Sequence, residues 1–414
     1  MVRAEIITIG DEILYGQILD TNTQWISQEL DKLGIQTVRK SSVGDSKEAI
    51  LGILSEAKER ADLVFITGGL GPTKDDLTKH LLCEFFNTSL ELHPQALEDV
   101  TIFFEKRGRE LSDLNKAQAL LPRKCEFIQN AQGTAPGMWF NEMGVIWVSM
   151  PGVPFEMKAM MEKIILPKVA KHFKTPKIVH KVIKTVGIGE SYLSDLIQDW
   201  ELALPKHIKL AYLPSLGIVK LRLTGFGDNE QVIKKDIEVE FQKLLPIAGE
   251  YVFGFEDDEL ESVIGKLLIE NKANIAVAES CTGGYLGHKF TSISGSSAYF
   301  KGGILAYANE VKINFLKVKE ETLSKFGAVS EECIIEMAEG IRKQMNTTYG
   351  IATSGIAGPD GGTEEKPVGT VWIAIANEKG TVTQKLTLGG TRLQNIHLST
   401  ITMMNLLRKN ILNA

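Results

Sequence analysis

From its first residues the chain alternates short apolar runs with longer amphipathic segments, and this alternation restricts the fold more than any other feature. Strands are predicted over Ala4–Ile9, Gln36–Ser41 and Leu63–Thr67, separated by helical patterns over Thr23–Lys32 and Lys47–Arg60. Strands with a helix between them are joined by a crossover rather than a hairpin, which makes them parallel, and a parallel sheet needs both faces covered. A further buried-type strand is predicted over Val145–Ser149, closed by Met150-Pro151-Gly152. A helix over Phe155–Ala170 then leads to the polar junction Lys174-Thr175-Pro176.

Beyond that junction the rhythm changes. A strand (178–186), a helix (191–200), two strands (208–213 and 217–224) around a tight turn at Leu213–Gly217, a helix (229–245) and a short strand (251–253) read as a small α+β unit. The acidic Glu256-Asp257-Asp258-Glu259 stretch closes it, after which helix and strand alternate again to the end. At 414 residues the chain exceeds one ordinary core. The expected division is an α/β domain at 1–174, an α+β domain at 175–254 and a second α/β domain at 255–414.

Composition excludes several classes of function. The net charge of −6, with no Lys/Arg block, argues against nucleic acid as a partner. No apolar run is long enough to span a bilayer, and the N-terminus lacks the order of a signal peptide, so no membrane partner and a cytoplasmic location are expected. The four cysteines, Cys83, Cys125, Cys281 and Cys333, lack metal-ligand spacing and are read as free thiols.

The sharpest chemical motif is Ala278-Glu279-Ser280-Cys281-Thr282-Gly283-Gly284, where an apolar strand feeds a small-residue turn at a predicted helix start. Main-chain N–H groups converge there, which suits a nucleophile and a developing oxyanion. The same residue types also serve as plain helix caps. Cys281 is an alternative nucleophile, with no His nearby in sequence to activate it. Three further groups follow predicted strands: Tyr307 to Lys312, the glycine-dense run Ser354 to Gly362, and Gly389-Gly390-Thr391-Arg392. In open α/β sheets ligands collect beyond the carboxyl ends of the strands. A serine needs a base, and without His the choice falls on Lys312 or Tyr307, a lysine serving when burial lowers its pKa. Lys366 and Arg392 supply charge near the glycine run, whose backbone can approach a phosphate closely.

These motifs, together with Ser296-Ser297-Ala298-Tyr299-Phe300, Gly327-Ala328-Val329-Ser330 and Glu364 to Trp372, resemble the C-terminal domain of the CinA family, competence/damage-inducible protein A. The resemblance implies that nicotinamide mononucleotide is hydrolysed to nicotinic acid mononucleotide and ammonia without a cofactor. Ser280 would be the nucleophile, with Tyr307 and Lys312 in the activating network. The turn from Cys281 through Thr282 and Gly283 to Gly284 would hold the oxyanion. Arg392, with Ser354, Gly355 and Gly358, would bind and orient the substrate.

In the first domain, Gly68-Gly69-Leu70-Gly71 with Asp75 and Asp76 stands between a predicted strand and a helix, the setting of an anion-binding glycine loop. Gly10-Asp11-Glu12 and Asp20-Thr21-Asn22 follow the first strand, so carboxylates and a phosphate cradle are expected to meet. That combination calls for a divalent cation; the alternative is that Asp11, Asp75 and Asp76 merely favour helix starts. With Asn115 to Ala119, Gly133 to Gly137 and Pro151 to Met157, these segments resemble the CinA N-terminal domain, similar in fold to molybdopterin-binding domains. The family reading is a metal-dependent pyrophosphatase that converts ADP-ribose to AMP and ribose 5-phosphate, with Asp11 and Asp76, which fall where the molybdopterin-handling relatives place aspartates, as the implied metal ligands. Pterin binding, or a competence-related interaction without catalysis, is the alternative. The middle unit resembles the family's KH-like domain, in which Glu190 and the cations Lys220 and Arg222, on one strand face, are expected to reach the diphosphate. A homodimer is implied by the resemblance alone.

Overall fold

The computed structural model describes residues 2–73 and 76–413. The chain divides into two compact units, residues 1–179 with 226–234, and residues 180–225 with 235–414.

The first unit is built on a six-stranded sheet in the order Gln36–Val43, Arg3–Ile9, Leu63–Thr67, Val145–Met150, Gly137–Glu142, Glu126–Ile128. The first four strands are parallel, as the crossover helices require. Gly137–Glu142 pairs antiparallel with Val145–Met150, and Glu126–Ile128 antiparallel with Gly137–Glu142, so beyond the expected parallel strands the sheet is mixed. The cause is local: Met143 and Gly144 adopt positive φ (58° and 77°) and turn the chain straight back after Glu142. Alternation along the central strands covers both faces. Ile7, Ile9, Val64 and Ile66 enter one core with Leu54 and Leu82, while Ala4, Ile6, Leu63 and Phe65 enter another with Ile26 and Met157. The helix predicted over Phe155–Ala170 is a composite of Pro154–Met160, a π-helical stretch Met161–Ile165, and Leu166–His172. Pro167 has no N–H to give to the regular ladder, which accounts for the irregular turn before it.

In the second part of the chain a four-stranded sheet runs in the order Ile208–Ser215, Ile218–Gly227, Lys177–Val186, Val252–Phe255. The predicted loop at Leu213–Gly217 is shorter than expected: pairing continues to Ser215 opposite Ile218, and only Leu216 and Gly217 turn. The C-terminal sheet has the order Phe300–Leu305, Ile275–Glu279, Tyr349–Gly355, Thr370–Asn377, Gly380–Thr387, with the first three parallel and the rest antiparallel. Its two faces differ in kind. Ala276, Ala278, Ala352, Ala374 and Ala376 meet Ile334, Met337 and Ile341 of helix Glu331–Met345, and the small residues let that helix lie close. Ile275, Val277, Ile351 and Ile373 face Ile264 and Leu268 of helix Leu260–Glu270 and Met403, Met404 and Leu407 of helix Arg392–Leu412.

Helix Arg392–Leu412 has 21 residues, starts in a capping box between Thr391 and Gln394, and carries a buried cation near its end. Arg408, 4% exposed, gives Nη1 to the Val252 carbonyl (3.1 Å), Nη2 to the Glu250 carbonyl (2.9 Å) and Nε to Asn405 Oδ1 (3.1 Å). No described helix is long and apolar enough to cross a membrane.

Candidate active site

The parallel register sets Glu279 beside Leu305 and Thr353, so the turn after it emerges at the carboxyl ends of three strands. The Ser280 N–H donates to the Thr353 carbonyl (2.9 Å), and the Ala306 N–H to the Glu279 carbonyl (2.7 Å), which fixes the turn at Ser280 against both neighbours. Lys312 lies in helix Asn309–Leu316 and is 1% exposed. Its Nζ stands 3.3 Å from Ser280 Oγ, 2.6 Å from the Ala306 carbonyl and 3.2 Å from the Tyr307 carbonyl. Burial lowers its pKa below that of an ordinary lysine.

An ammonium has three protons, and three acceptors surround this one. Once a proton leaves, the two carbonyls engage the remaining N–H groups and a lone pair faces Ser280 Oγ. That is the arrangement of a general base. The neighbouring thiol offers no rival, since burial pushes Cys281 up to about 12.

Of the four turn residues expected to hold an oxyanion, two are engaged: the Gly283 N–H donates to the Ser280 carbonyl (3.2 Å) and the Gly284 N–H to Glu279 Oε2 (3.0 Å). The N–H groups of Cys281 and Thr282 are not taken up in this way among the described residues, and the Thr282 hydroxyl donates to Glu279 Oε2 (2.6 Å). Tyr307 sits just past its strand with its side chain 64% exposed. Its carbonyl holds Lys312, whereas its hydroxyl accepts from Arg392 Nη2 (3.2 Å). Arg392 Nη1 reaches the Gly358 carbonyl (2.8 Å), so one guanidinium spans the glycine run and the tyrosine. Ser354 ends the buried strand before Gly355 and gives its hydroxyl to the Ala328 carbonyl (2.7 Å). Lys366 gives its Nζ to the Phe326 carbonyl (2.7 Å). Asn395 had no signal in the sequence: 1% exposed, it donates to the Ala357 and Gly390 carbonyls and accepts from the Gly390 N–H, joining two loops.

The first unit has its own cavity of about 1000 Å³, lined by Asp11, Glu12, Asp20, Asn22, Gly68, Gly69, Gly71 and Asp76 together with Asp45. Gly68 and Gly69 take φ of 105° and 63°, and only glycine adopts these readily. Asp76 ties the loop from inside, Oδ1 accepting from the Gly71 N–H (2.7 Å) and Oδ2 from the Thr73 N–H (2.9 Å) and hydroxyl (2.6 Å). Asp20 caps helix Thr21–Lys32 through the Thr23 N–H (2.9 Å) and also accepts from both the Thr8 and Thr23 hydroxyls. Asn22 donates to the Gly152 carbonyl (2.7 Å). Asp75 lies outside the described residues.

Asp11 and Asp45 exchange contacts, the Asp11 N–H donating to Asp45 Oδ2 (3.1 Å) and the Asp45 N–H to Asp11 Oδ1 (3.4 Å). Burial, and then the charges of Asp11, Glu12 and Asp76, raise the Asp45 carboxyl above its usual range. In the sequence Asp45 is masked by Ser46, which caps the next helix. Among the described residues no ion pair reaches Asp11, Glu12, Asp45 or Asp76, and no three His, Cys, Asp or Glu side chains lie close enough together to hold a metal ion. Carboxylate oxygens are hard donors of the kind a divalent ion takes, and here they would have to draw closer to share one. Glu190 begins helix Glu190–Leu202 of the second unit. Lys220 and Arg222 share the half-buried face of strand Ile218–Gly227, alternating with buried Val219, Leu221 and Leu223.

Three family models match in order: "Probable molybdopterin binding domain" over residues 5–171, "Damage-inducible protein CinA KH domain" over 180–254, and "CinA C-terminal domain" over 257–411. A CinA-like protein of Cytophaga hutchinsonii is 53% identical over 410 residues, covering 99% of this chain and 98% of that protein. A putative competence-damage inducible protein of Acetivibrio thermocellus is 41% identical over 418 residues, covering 99% of each. Among solved structures, a CinA superfamily protein of Klebsiella pneumoniae is 32% identical with a TM-score of 0.37, covering 37% of this chain and 97% of that one.

Proposed function

This chain belongs to the CinA family, and from that premise we propose that its C-terminal domain is a serine amidohydrolase that releases ammonia from nicotinamide mononucleotide. The observation that carries the reading is the buried Lys312 amine 3.3 Å from Ser280 Oγ. Neutral Lys312 takes the Ser280 proton as Oγ attacks the carboxamide carbon, and the Cys281 and Thr282 N–H groups receive the oxyanion. Lys312 then returns the proton to the departing ammonia, and water resolves the acyl-enzyme by the same route. Arg392, held by Gly358 and Tyr307, would bind the phosphate. The test is ammonia release from nicotinamide mononucleotide by the purified chain. The wild type should release it and Ser280→Ala should not; normal release by that variant removes Ser280 from the chemistry.

The N-terminal domain, molybdopterin-binding-like by its family model, is proposed to hydrolyse ADP-ribose to AMP and ribose 5-phosphate. Asp11, Glu12, Asp45 and Asp76 would hold a divalent cation, which would supply charge neutralisation for the diphosphate. The Gly68–Gly71 loop would seat one phosphate while Asp76 keeps the loop in shape. The carboxylates that line the cavity favour this reading over a bare anionic pterin, which they would repel.

A further inference from the structure

Glu279 is a buried carboxylate next to Ser280, and it touches neither Ser280 Oγ nor Lys312 among the described hydrogen bonds. It is 1% exposed and no described ion pair reaches it. A buried charge without a cation has to be met by donors. Four meet this one: the Thr282 hydroxyl (2.6 Å), the Gly284 N–H (3.0 Å) and the Leu286 N–H (3.0 Å) at Oε2, and the Gly287 N–H (2.7 Å) at Oε1. The donors come from the turn and from the first residues of helix Tyr285–Thr291. Because Thr282 spends its single proton on the carboxylate, the contact between Thr282 Oγ1 and Thr353 Oγ1 (2.7 Å) has Thr353 as donor. Thr353 also receives the Ser280 N–H at its carbonyl. The residue before the nucleophile and the residue two after it are thus bound to each other, and both are tied to the same position of the neighbouring strand.

We propose that Glu279, acting through Thr282 and Thr353, is a positioning residue that holds Ser280 in line with Lys312. It also keeps the Gly284, Leu286 and Gly287 N–H groups out of the reaction, leaving the oxyanion to the Cys281 and Thr282 N–H groups. This rests on the amidohydrolase reading for its consequence in turnover, but the alignment of Ser280 is measurable without any substrate.

The experiment compares Glu279→Gln, Thr282→Val and Thr282→Ser in the full chain, following kcat and KM for nicotinamide mononucleotide and the rate at which a fluorophosphonate labels Ser280, with Ser280→Ala as the unlabelled control. Misalignment by a fraction of an ångström should lower kcat and the labelling rate by about tenfold to a hundredfold in Glu279→Gln and Thr282→Val. KM should stay within about threefold, and Thr282→Ser should recover to within about threefold of the wild type. The proposal is overturned if labelling of the folded variants matches the wild type, if the loss falls on KM alone, or if Thr282→Ser is as impaired as Thr282→Val. Should Glu279→Gln fail to fold, the Thr282 pair decides. If the wild type releases no ammonia, the amidohydrolase reading falls while the labelling series still judges the alignment.

Discussion

Lys312 gives up its proton in the folded protein at a pH where the unfolded chain still holds it, because burial disfavours the charged amine. Between the lowered pKa and the ordinary lysine value the unfolded state binds more protons, so stability rises with pH there. In the proposed reaction the same titration governs the base. Below the lowered pKa the ammonium cannot accept from Ser280; above it the amine can. Deamidation should therefore rise with pH through the lowered pKa and then level off, and a kcat profile reads this directly. Lys312→Ala should lose that limb and about a hundredfold to ten-thousandfold in kcat, and a limb that persists in this variant assigns it to another group. The motifs pointed to Ser280, Lys312 and Arg392 because each residue type allows few roles there, and the fold brings Ser280 and Lys312 to within 3.3 Å of each other. Tyr307 was legible only in part: its hydroxyl meets Arg392 and its carbonyl meets Lys312, and a main-chain contact leaves no mark on residue identity. Asp45 and Asn395 act through long-range neighbours that local spacing does not reveal.

At the scale of elements, the alternation of apolar runs and helical patterns correctly indicated the parallel strands, because burial on both faces leaves a continuous apolar signature. It did not indicate the strands Gly137–Glu142 and Glu126–Ile128, where hairpin pairing depends on a Met143-Gly144 turn that lacks the usual Asn-Gly or Asp-Gly signal. The alanine face of the C-terminal sheet makes a testable demand. Ala352 is fully buried, pairs with Ala278 and Ala374, and faces helix Glu331–Met345 at close range. Ala352→Val should overpack this layer and cost about 1–3 kcal/mol. Thermal denaturation would register it, and an unchanged midpoint would show that the helix has room to shift.

At the scale of the whole molecule, two chemistries are assigned to two units, each with its own sheet and core. A chelator should stop ADP-ribose cleavage and added divalent cation should restore it, while ammonia release continues throughout, since the serine–lysine pair needs no metal. Chelator-resistant ADP-ribose cleavage would exclude the role given to Asp11, Glu12, Asp45 and Asp76. Within the second unit, helix Arg392–Leu412 carries a different implication. About 30 Å long, it works as a strut seated at both ends. One end is set into the glycine loops proposed to bind the substrate phosphate, and the other is bolted by Arg408 to the carbonyls of Glu250 and Val252. Loosening the far bolt should slacken the near seat. Arg408→Ala is expected to speed amide hydrogen exchange not only around Val252 but also in the Arg392 turn, and to raise KM for nicotinamide mononucleotide more than it lowers kcat. Exchange confined to the Val252 end would mean that the strut absorbs strain along its length, so that the grip on phosphate is set by the loops alone.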